Sequence, residues 1–395
     1  MKKVFKLSLF LFALTFFVAC NKKEVKTEKK EQNNTFTISG EIKGLGNTNM
    51  HFRMPDETQE KKFRWDSIVV KNNKFSYSSK IDKLETLKFW IDNKSIEKSA
   101  KGGGYFPVLS NNLMLFVFPG ADVKVSGEIT EFVNAYPSED KINNDLTKLH
   151  KKIYPLINKG GDLSTKISFE EDKNKRKELE ISSNKIDNEV LDIKKSFIND
   201  NINSAVSIWY LSDLMMRSQL SDEESIEIFN KVDKKLSDNP FYKDIAKRIQ
   251  GINATKEGQI VPAIITSSTV DGVEFDLASY RGKYVMIDFW GTWCGPCVAE
   301  MPKVSEYVEK YKGKLEILGV NSGDSKKRMA DFLEKNDYKW QQVLNVKGES
   351  NDNFVLKFNV TGFPTKFIID PDGKIVKKYM GNGEESFVFL DSILK

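Results

Sequence analysis

Apolar and polar positions change their period several times along the chain. Residues 7–19 form one nearly unbroken apolar block. Residues 21–34 then carry a single apolar residue, Val25. A segment that polar cannot bury a face, which predicts a flexible linker. From residue 35 to about 130 the period is two: Phe36 and Ile38 alternate with Thr37 and Ser39, and further short runs end in turn residues. Asn72-Asn73 and Pro119-Gly120 are such turns, the first suited to left-handed backbone. Short strands with frequent turns predict a β-sandwich over 35–130. From 138 to 255 helical spacing takes over. Residues 169–199 read as one long or broken helix, and Ser221-Asp222-Glu223-Glu224 as a capping box. Asn239-Pro240 closes that helix ahead of another, and residues 205–211 form the most apolar helix of the region. After a connector at 256–262, strands and helices alternate over 260–395, the pattern of an α/β layer. The fold class is therefore multidomain: an N-terminal β-sandwich, a helical middle region and a C-terminal α/β domain.

The most informative pattern is the run Tyr284–Trp290, long enough for one buried strand. It breaks at Gly291, presents Trp293-Cys294-Gly295-Pro296-Cys297, and continues with Val298, Met301, Val304 and Val308 at helical spacing. Two cysteines thus fall where helix amides and the helix dipole stabilise a thiolate. At i and i+3 they lie on one face and can reach each other. A structural zinc site needs about four ligands. Beyond this pair the chain offers only Cys20, His51 and His150, all distant in sequence. A redox pair, a metal half-site and an ordinary buried pair are the open readings, and the metal is the poorest supplied.

Composition narrows the setting. At 395 residues, 39% hydrophobic and 30% charged, the chain has room for two or three domains with sizeable cores. Net charge is +5, and three of the 61 basic residues, Lys2, Lys3 and Lys6, lie in a segment expected to be removed, while 56 acids oppose the rest. Such a balance gives no ground for nucleic-acid binding. The lysines and the short apolar block make residues 1–20 a targeting segment, too short to span a bilayer. It ends Phe17-Val18-Ala19-Cys20, which resembles a bacterial lipobox with Phe in place of the usual Leu. That resemblance implies a lipoprotein signal peptide over 1–20 and lipidation at Cys20. With Cys20 modified and the other two cysteines paired, no structural disulfide is left.

Other features carry less chemistry. Lys101-Gly102-Gly103-Gly104 lacks the spacing of a phosphate cradle. Phe63, Trp65, Phe89, Trp90, Tyr105 and Phe106 are expected in the sandwich core. His150 stands alone in the helical region and is expected at the surface.

Asp288-Phe289-Trp290 leading into Trp293-Cys294-Gly295-Pro296-Cys297, followed later by Thr361-Gly362-Phe363-Pro364-Thr365, resembles the thioredoxin superfamily. Arg281-Gly282-Lys283 before the strand, Glu300-Met301-Pro302 after the second cysteine and the additional strand–helix material around 315–345 resemble its TlpA/ResA-like branch of AhpC/TSA type. Residues 35–255 resemble, more loosely, the N-terminal extension of such lipoproteins from Bacteroidota, whose β-sandwich is a domain of unknown function. The resemblance implies a thioredoxin-like domain at 260–395, with Cys294 as exposed nucleophile, its pKa lowered toward about 7. Cys297 would be the buried resolving thiol, Asp288 the acid that handles its proton, and Glu300 a second active-site acid. Both acids would raise the thiol pKa values. Pro364 would be the cis-proline that presents the Phe363 backbone to a substrate strand, and Trp293, Gly295 and Pro296 the remaining docking surface. No cofactor is implied beyond the redox-active Cys294–Cys297 disulfide. The implied partners are protein disulfide clients, a membrane through the lipid anchor, and a thiol transporter of CcdA/DsbD type as electron donor. The setting would be the cell envelope, and the role cytochrome c maturation or envelope redox homeostasis. Two other readings differ in class. A peroxidase of the same fold would want Thr-x-x-Cys, and Thr292 is one residue too close to Cys294. A surface binding lipoprotein would use 35–255 for its work and the redox domain as an accessory.

Overall fold

Period-two alternation becomes sheet as far as residue 138. The computed structural model describes residues 34–395 apart from 57–62, 349 and 382; the leader 1–20 with Cys20, and the linker as far as residue 33, lie outside the described residues. The strands are β1 (Thr35–Lys43), β2 (Thr48–Pro55), β3 (Phe63–Val70), β4 (Lys74–Lys80), β5 (Glu85–Ile91), the short β6 (Lys98–Ser99) and β7 (Tyr105–Phe106), β8 (Asn112–Val117), β9 (Asp122–Ile129) and β10 (Val133–Ser138). They form two four-stranded sheets, ordered β10-β9-β1-β4 and β3-β2-β5-β8, and β6 pairs with β7. Inward residues of both larger sheets, such as Phe36, Ile38, Phe52, Phe89 and Val123, enter one apolar cluster. The Asn72-Asn73 turn is left-handed at both residues, φ 50° and 68°, and carries the chain from one sheet to the other. β1 and β9 run parallel, with Gly40 opposite Val125. A Cβ on Gly40 would stand 2.1 Å from Val125 O. Only glycine permits that approach.

The aromatic residues correct the expectation of a shared core. Phe89 is buried, but Trp65 and Tyr105 are 57% and 58% exposed. Register explains the difference: Arg53 pairs with Trp65, Pro55 with Phe63 and His51 with Trp90, all on the face opposite Phe52 and Met54. Phe63, Trp65 and Trp90 surround the Arg53 guanidinium at 4.7, 4.9 and 5.5 Å.

The helical region comprises α1 (Lys141–Phe169), α2 (Lys173–Asp200), α3 (Ala205–Met216), α4 (Asp222–Asn230) and α5 (Pro240–Ala254). Phe169 ends α1 instead of opening the next helix, because Asp172 caps α2 by accepting from the Asn174 and Lys175 amides. Ser221 and Glu224 close a reciprocal capping box on α4. Buried α3 residues join Leu146, Ile153, Ile245 and, from β8, Met114 and Phe116 in a second apolar cluster. His150 is not at the surface. It is buried at the centre of this cluster, stacked on Tyr154 at 4.2 Å, with Nε2 2.8 Å from the Tyr210 hydroxyl. Its place on the inner stripe of α1, one turn before Tyr154, puts it there.

The last part contains β11 (Ile265–Thr266), β12 (Phe275–Asp276), β13 (Tyr284–Trp290), α6 (Gly295–Lys310), β14 (Leu315–Asn321), α7 (Lys326–Lys335), β15 (Gln341–Leu344), α8 (Phe354–Lys357), β16 (Thr365–Ile369), β17 (Ile375–Met380) and α9 (Glu384–Ile393). Five strands form one mixed sheet in the order β15-β14-β13-β16-β17. β13 lies at its centre, parallel to β14 and antiparallel to β16. Val285, Ile287 and Phe289 enter the cluster on one face, and Met286 and Trp290 the cluster on the other, which holds both cysteines. Period two therefore aims Asp288 at the cysteine side. Among the described residues no helix is long and apolar enough to cross a membrane.

Burial and the nearby Lys194 and Lys88 push the His150 imidazole down from 6.5 to about 3. A depressed value gives stability that is full above pH 6.5 and lost as pH falls through the folded value. The acid limb of a urea-unfolding series should therefore slope by up to about 1.4 kcal/mol per pH unit from this group. His150→Gln should flatten that limb.

Candidate active site

β13 ends at Trp290, and the chain turns through Gly291-Thr292-Trp293 into α6. Cys294 is the N-cap of that helix, and the Cys297 N–H donates to Cys294 Sγ at 3.2 Å. Gly295 and Pro296 occupy the first turn, where proline loses no helix bond. Cys294 and Cys297 are joined by a disulfide, with Cα atoms 5.3 Å apart. Cys294 was expected to be the exposed partner, but it is 5% exposed against 3% for Cys297. In the disulfide both sulfurs belong to the apolar cluster under α6, and the asymmetry between them comes from the helix N-terminus. An amide pointed at sulfur at the positive end of a helix favours the thiolate.

Beneath the pair, Asp288 of β13 and Glu300 of α6 share one ammonium, Lys366 of β16. Lys366 Nζ lies 3.2 Å from Asp288 Oδ1 and 2.6 Å from Glu300 Oε2. Glu300 Oε1 also accepts the Gly383 N–H at 2.7 Å, ahead of α9. Lys366 and Asp288 are both buried. Burial raises the Asp288 pKa above its ordinary 3.8, the Glu300 charge adds to that, and Lys366 opposes both without overcoming them. Lys366 also suffers desolvation, but the two carboxylates hold its pKa above 10.5.

The loop ahead of the cysteines is fastened from the turn that follows β14. Asp324 accepts from the Thr292 N–H at 2.8 Å, the Thr292 hydroxyl at 2.6 Å and Asn321 Nδ2 at 2.9 Å. Trp293 Nε1 donates to Ser322 O at 2.8 Å. A Cβ on Gly291 would stand 2.4 Å from that indole nitrogen, so glycine there lets the ring fold back. Facing it, the Trp293 and Phe363 rings meet edge-on with centroids 5.2 Å apart. The Phe363–Pro364 bond is cis.

The structure thus brings Cys294, Cys297, Trp293, Gly295, Pro296, Phe363 and Pro364 to one end of the sheet, with Asp288 and Glu300 below. Lys366 and Asp324 had no place in the sequence reading. The signal for Lys366 was present: a lysine in the run Thr365-Lys366-Phe367-Ile368-Ile369 sits next to the strand that carries Asp288. Among the described residues no group of three or more His, Cys, Asp or Glu is arranged to hold a metal.

A central mixed sheet with a Cys-x-x-Cys pair capping a helix opposite a cis-proline loop defines a thioredoxin-fold thiol-disulfide oxidoreductase. The AhpC/TSA family matches residues 258–378, and a domain of unknown function, DUF4369, matches residues 36–146. The thiol-disulfide oxidoreductase ResA of Bacillus thuringiensis subsp. konkukian is 32% identical over 139 residues, covering 35% of this chain and 76% of the relative. ResA of Bacillus subtilis is 32% identical over 139 residues, covering 35% and 75%. Of solved structures, the thioredoxin domain of a thiol-disulfide oxidoreductase from Bacteroides vulgatus is 27% identical, with a TM-score of 0.32, covering 35% of this chain and 99% of that one. The chain belongs to the TlpA/ResA-like family of thiol-disulfide oxidoreductases through its C-terminal domain.

Removing the shared ammonium leaves the buried Asp288 and the partly buried Glu300 without a counter-ion. Lys366→Met should lower the unfolding free energy at pH 7 by about 3–5 kcal/mol, with a smaller loss in acid where the carboxylates protonate; chemical denaturation at the two pH values reads both. Asp288 has a raised folded pKa, so its contribution is full below 3.8 and lost as pH rises through the folded value. In the same assay Asp288→Asn should gain on the parent as pH rises above 3.8.

Proposed function

We propose that this oxidoreductase reduces protein disulfides outside the cytoplasm while tethered by lipid at Cys20. The observation that carries the exchange chemistry is the Cys294–Cys297 disulfide across the first turn of α6, with the Cys297 N–H directed at Cys294 Sγ. In the reduced protein the Cys294 thiolate attacks a client disulfide. A sulfur–sulfur bond forms to Cys294, the client bond breaks, and the leaving sulfur takes a proton. Cys297 then gives up its proton, with Asp288 as acceptor, and its sulfur attacks Cys294. The client's second sulfur leaves and takes that proton from Asp288. Two electrons and two protons have passed to the client, and the disulfide seen here is restored.

Trp293, Gly295, Pro296, Phe363 and Pro364 form the docking surface in this reading. Support comes from the edge-on Trp293–Phe363 contact beside the cysteines. Glu300 acts through Lys366, fixing the charge that Asp288 faces. Family resemblance supports the finer assignments: clients in cytochrome c maturation or envelope redox homeostasis, a CcdA/DsbD-type thiol transporter as electron donor, and residues 35–130 as a β-sandwich standing off the membrane on the 21–34 linker. A second reading, in which the N-terminal region binds a partner, draws on Trp65, Trp90 and Phe63 around Arg53 at the surface.

Insulin reduction by the dithiol form should be abolished by Cys294→Ala. Cys297→Ala should accumulate a mixed disulfide on non-reducing gels. Retained turnover in the first variant would overturn the nucleophile assignment, and peroxide consumption as fast as insulin reduction would favour a peroxidase. Palmitate labelling in the native host should disappear with Cys20→Ser.

A further inference from the structure

Among the described residues the helical region touches the redox domain at α8 and at the loop ahead of Phe363. At the first, Gly251 of α5 lets the backbone of α8 approach: a Cβ there would stand 2.7 Å from Lys357 O. At the second, the connection between α3 and α4 reaches the loop that leads to Phe363. Ser218 closes α3 in the left-handed region, φ 54°, with its N–H on Met215 O at 3.1 Å. Its hydroxyl donates to Thr361 Oγ1 at 3.1 Å. Thr361 lies two residues before Phe363, whose ring meets Trp293 next to Cys294.

Beside this second contact lies a cavity of about 360 Å³. Met215, Leu220 and Ser225 line it from the helical side, and Asn359, Thr361 and Met380 from the redox side. Asn359 is 5% exposed and left-handed at φ 44°. Its Oδ1 has no hydrogen-bond partner among the described residues. A buried acceptor without a donor is costly, so a ligand that brings an N–H recovers that cost. The charges at the cavity, Asp222 and Lys378, balance, and Lys378 Nζ is engaged by Asn359 O at 3.3 Å. Two methionines and a leucine give an apolar wall that adapts to flexible side chains.

We infer that this cavity is a docking subsite for the disulfide client, an extended polypeptide. The chain that places its cysteine at Cys294 continues along the 361–363 loop. It sets an amide N–H on Asn359 Oδ1 and a Met or Leu side chain among Met215, Leu220 and Met380. Three observations select this occupant: Thr361 of the loop that leads to Phe363 lines the cavity, its unpartnered group wants a donor that every peptide carries, and its wall of Met215, Leu220 and Met380 matches apolar side chains. The inference rests on the exchange reading above. It gives the helical region a part in choosing clients.

The test uses the full chain in its dithiol form and two kinds of probe. One is cystamine, too small to reach the cavity. The other is a set of glutathione mixed disulfides of peptides with a central cysteine and flanking Met, Leu, Ala or Glu. The parent should favour Met and Leu peptides over Glu peptides by about tenfold in kcat/KM. Asn359→Gly, which tolerates the left-handed backbone, should erase most of that preference through KM. Met380→Lys should do the same at a position 54% exposed, where folding is not at stake. Cystamine reduction should be unchanged in both. An unaltered peptide preference in both variants overturns the subsite, as does an equal loss on cystamine and peptides. If the parent reduces neither probe, the exchange reading itself has failed.

Discussion

Lys366 holds three elements of the redox domain by one buried ammonium: β13 through Asp288, α6 through Glu300, and β16, on which it sits. Glu300 extends the link to the start of α9 through the Gly383 amide. Buried ion pairs are weak contributors to net stability, since desolvation offsets most of the attraction, but losing one partner strands a charge. The arrangement therefore specifies more than it stabilises. It sets how far α6 can move from the sheet, and α6 carries both cysteines.

It also changes the electrostatics inferred from the acids alone. Two carboxylates beneath a dithiol would raise both thiol values and slow attack. With the ammonium between them, the group carries one net negative charge when all three are ionised, and none when Asp288 is protonated. The raised Asp288 value makes that second state accessible. Under the proposed exchange, a single proton moving between Cys297 and Asp288 thus passes between two low-charge states, which a buried site tolerates better than an isolated ion.

What was legible in the sequence was local. The strand–loop–helix around the cysteines, the Asn72-Asn73 corner and the capping box at Ser221 each declare themselves within a few residues, because backbone preference and neighbouring side chains decide them. What was hidden depends on pairing between distant strands. Lys366 looked like one polar residue in a β-run until antiparallel register set it opposite Asp288. Asp324 sat in an unremarked loop until it met Thr292. Trp65 and Trp90 failed as core residues for the opposite reason: aromatic content in strands says little about which face register will turn outward. His150 was misplaced because no periodicity singles out one polar residue on the buried stripe of α1.

The place of β1 between β4 and β9 has a mechanical consequence. A pull on the chain ahead of Thr35 acts along β1, which is bonded antiparallel to β4 on one side and parallel to β9 on the other. Such a load shears both ladders together, so their hydrogen bonds share the force instead of opening one by one as at a peeled edge. A strand drawn from the edge of the sheet would have opened pair by pair. The first strand of the fold can thus pass tension applied ahead of Thr35 into two neighbouring ladders at once.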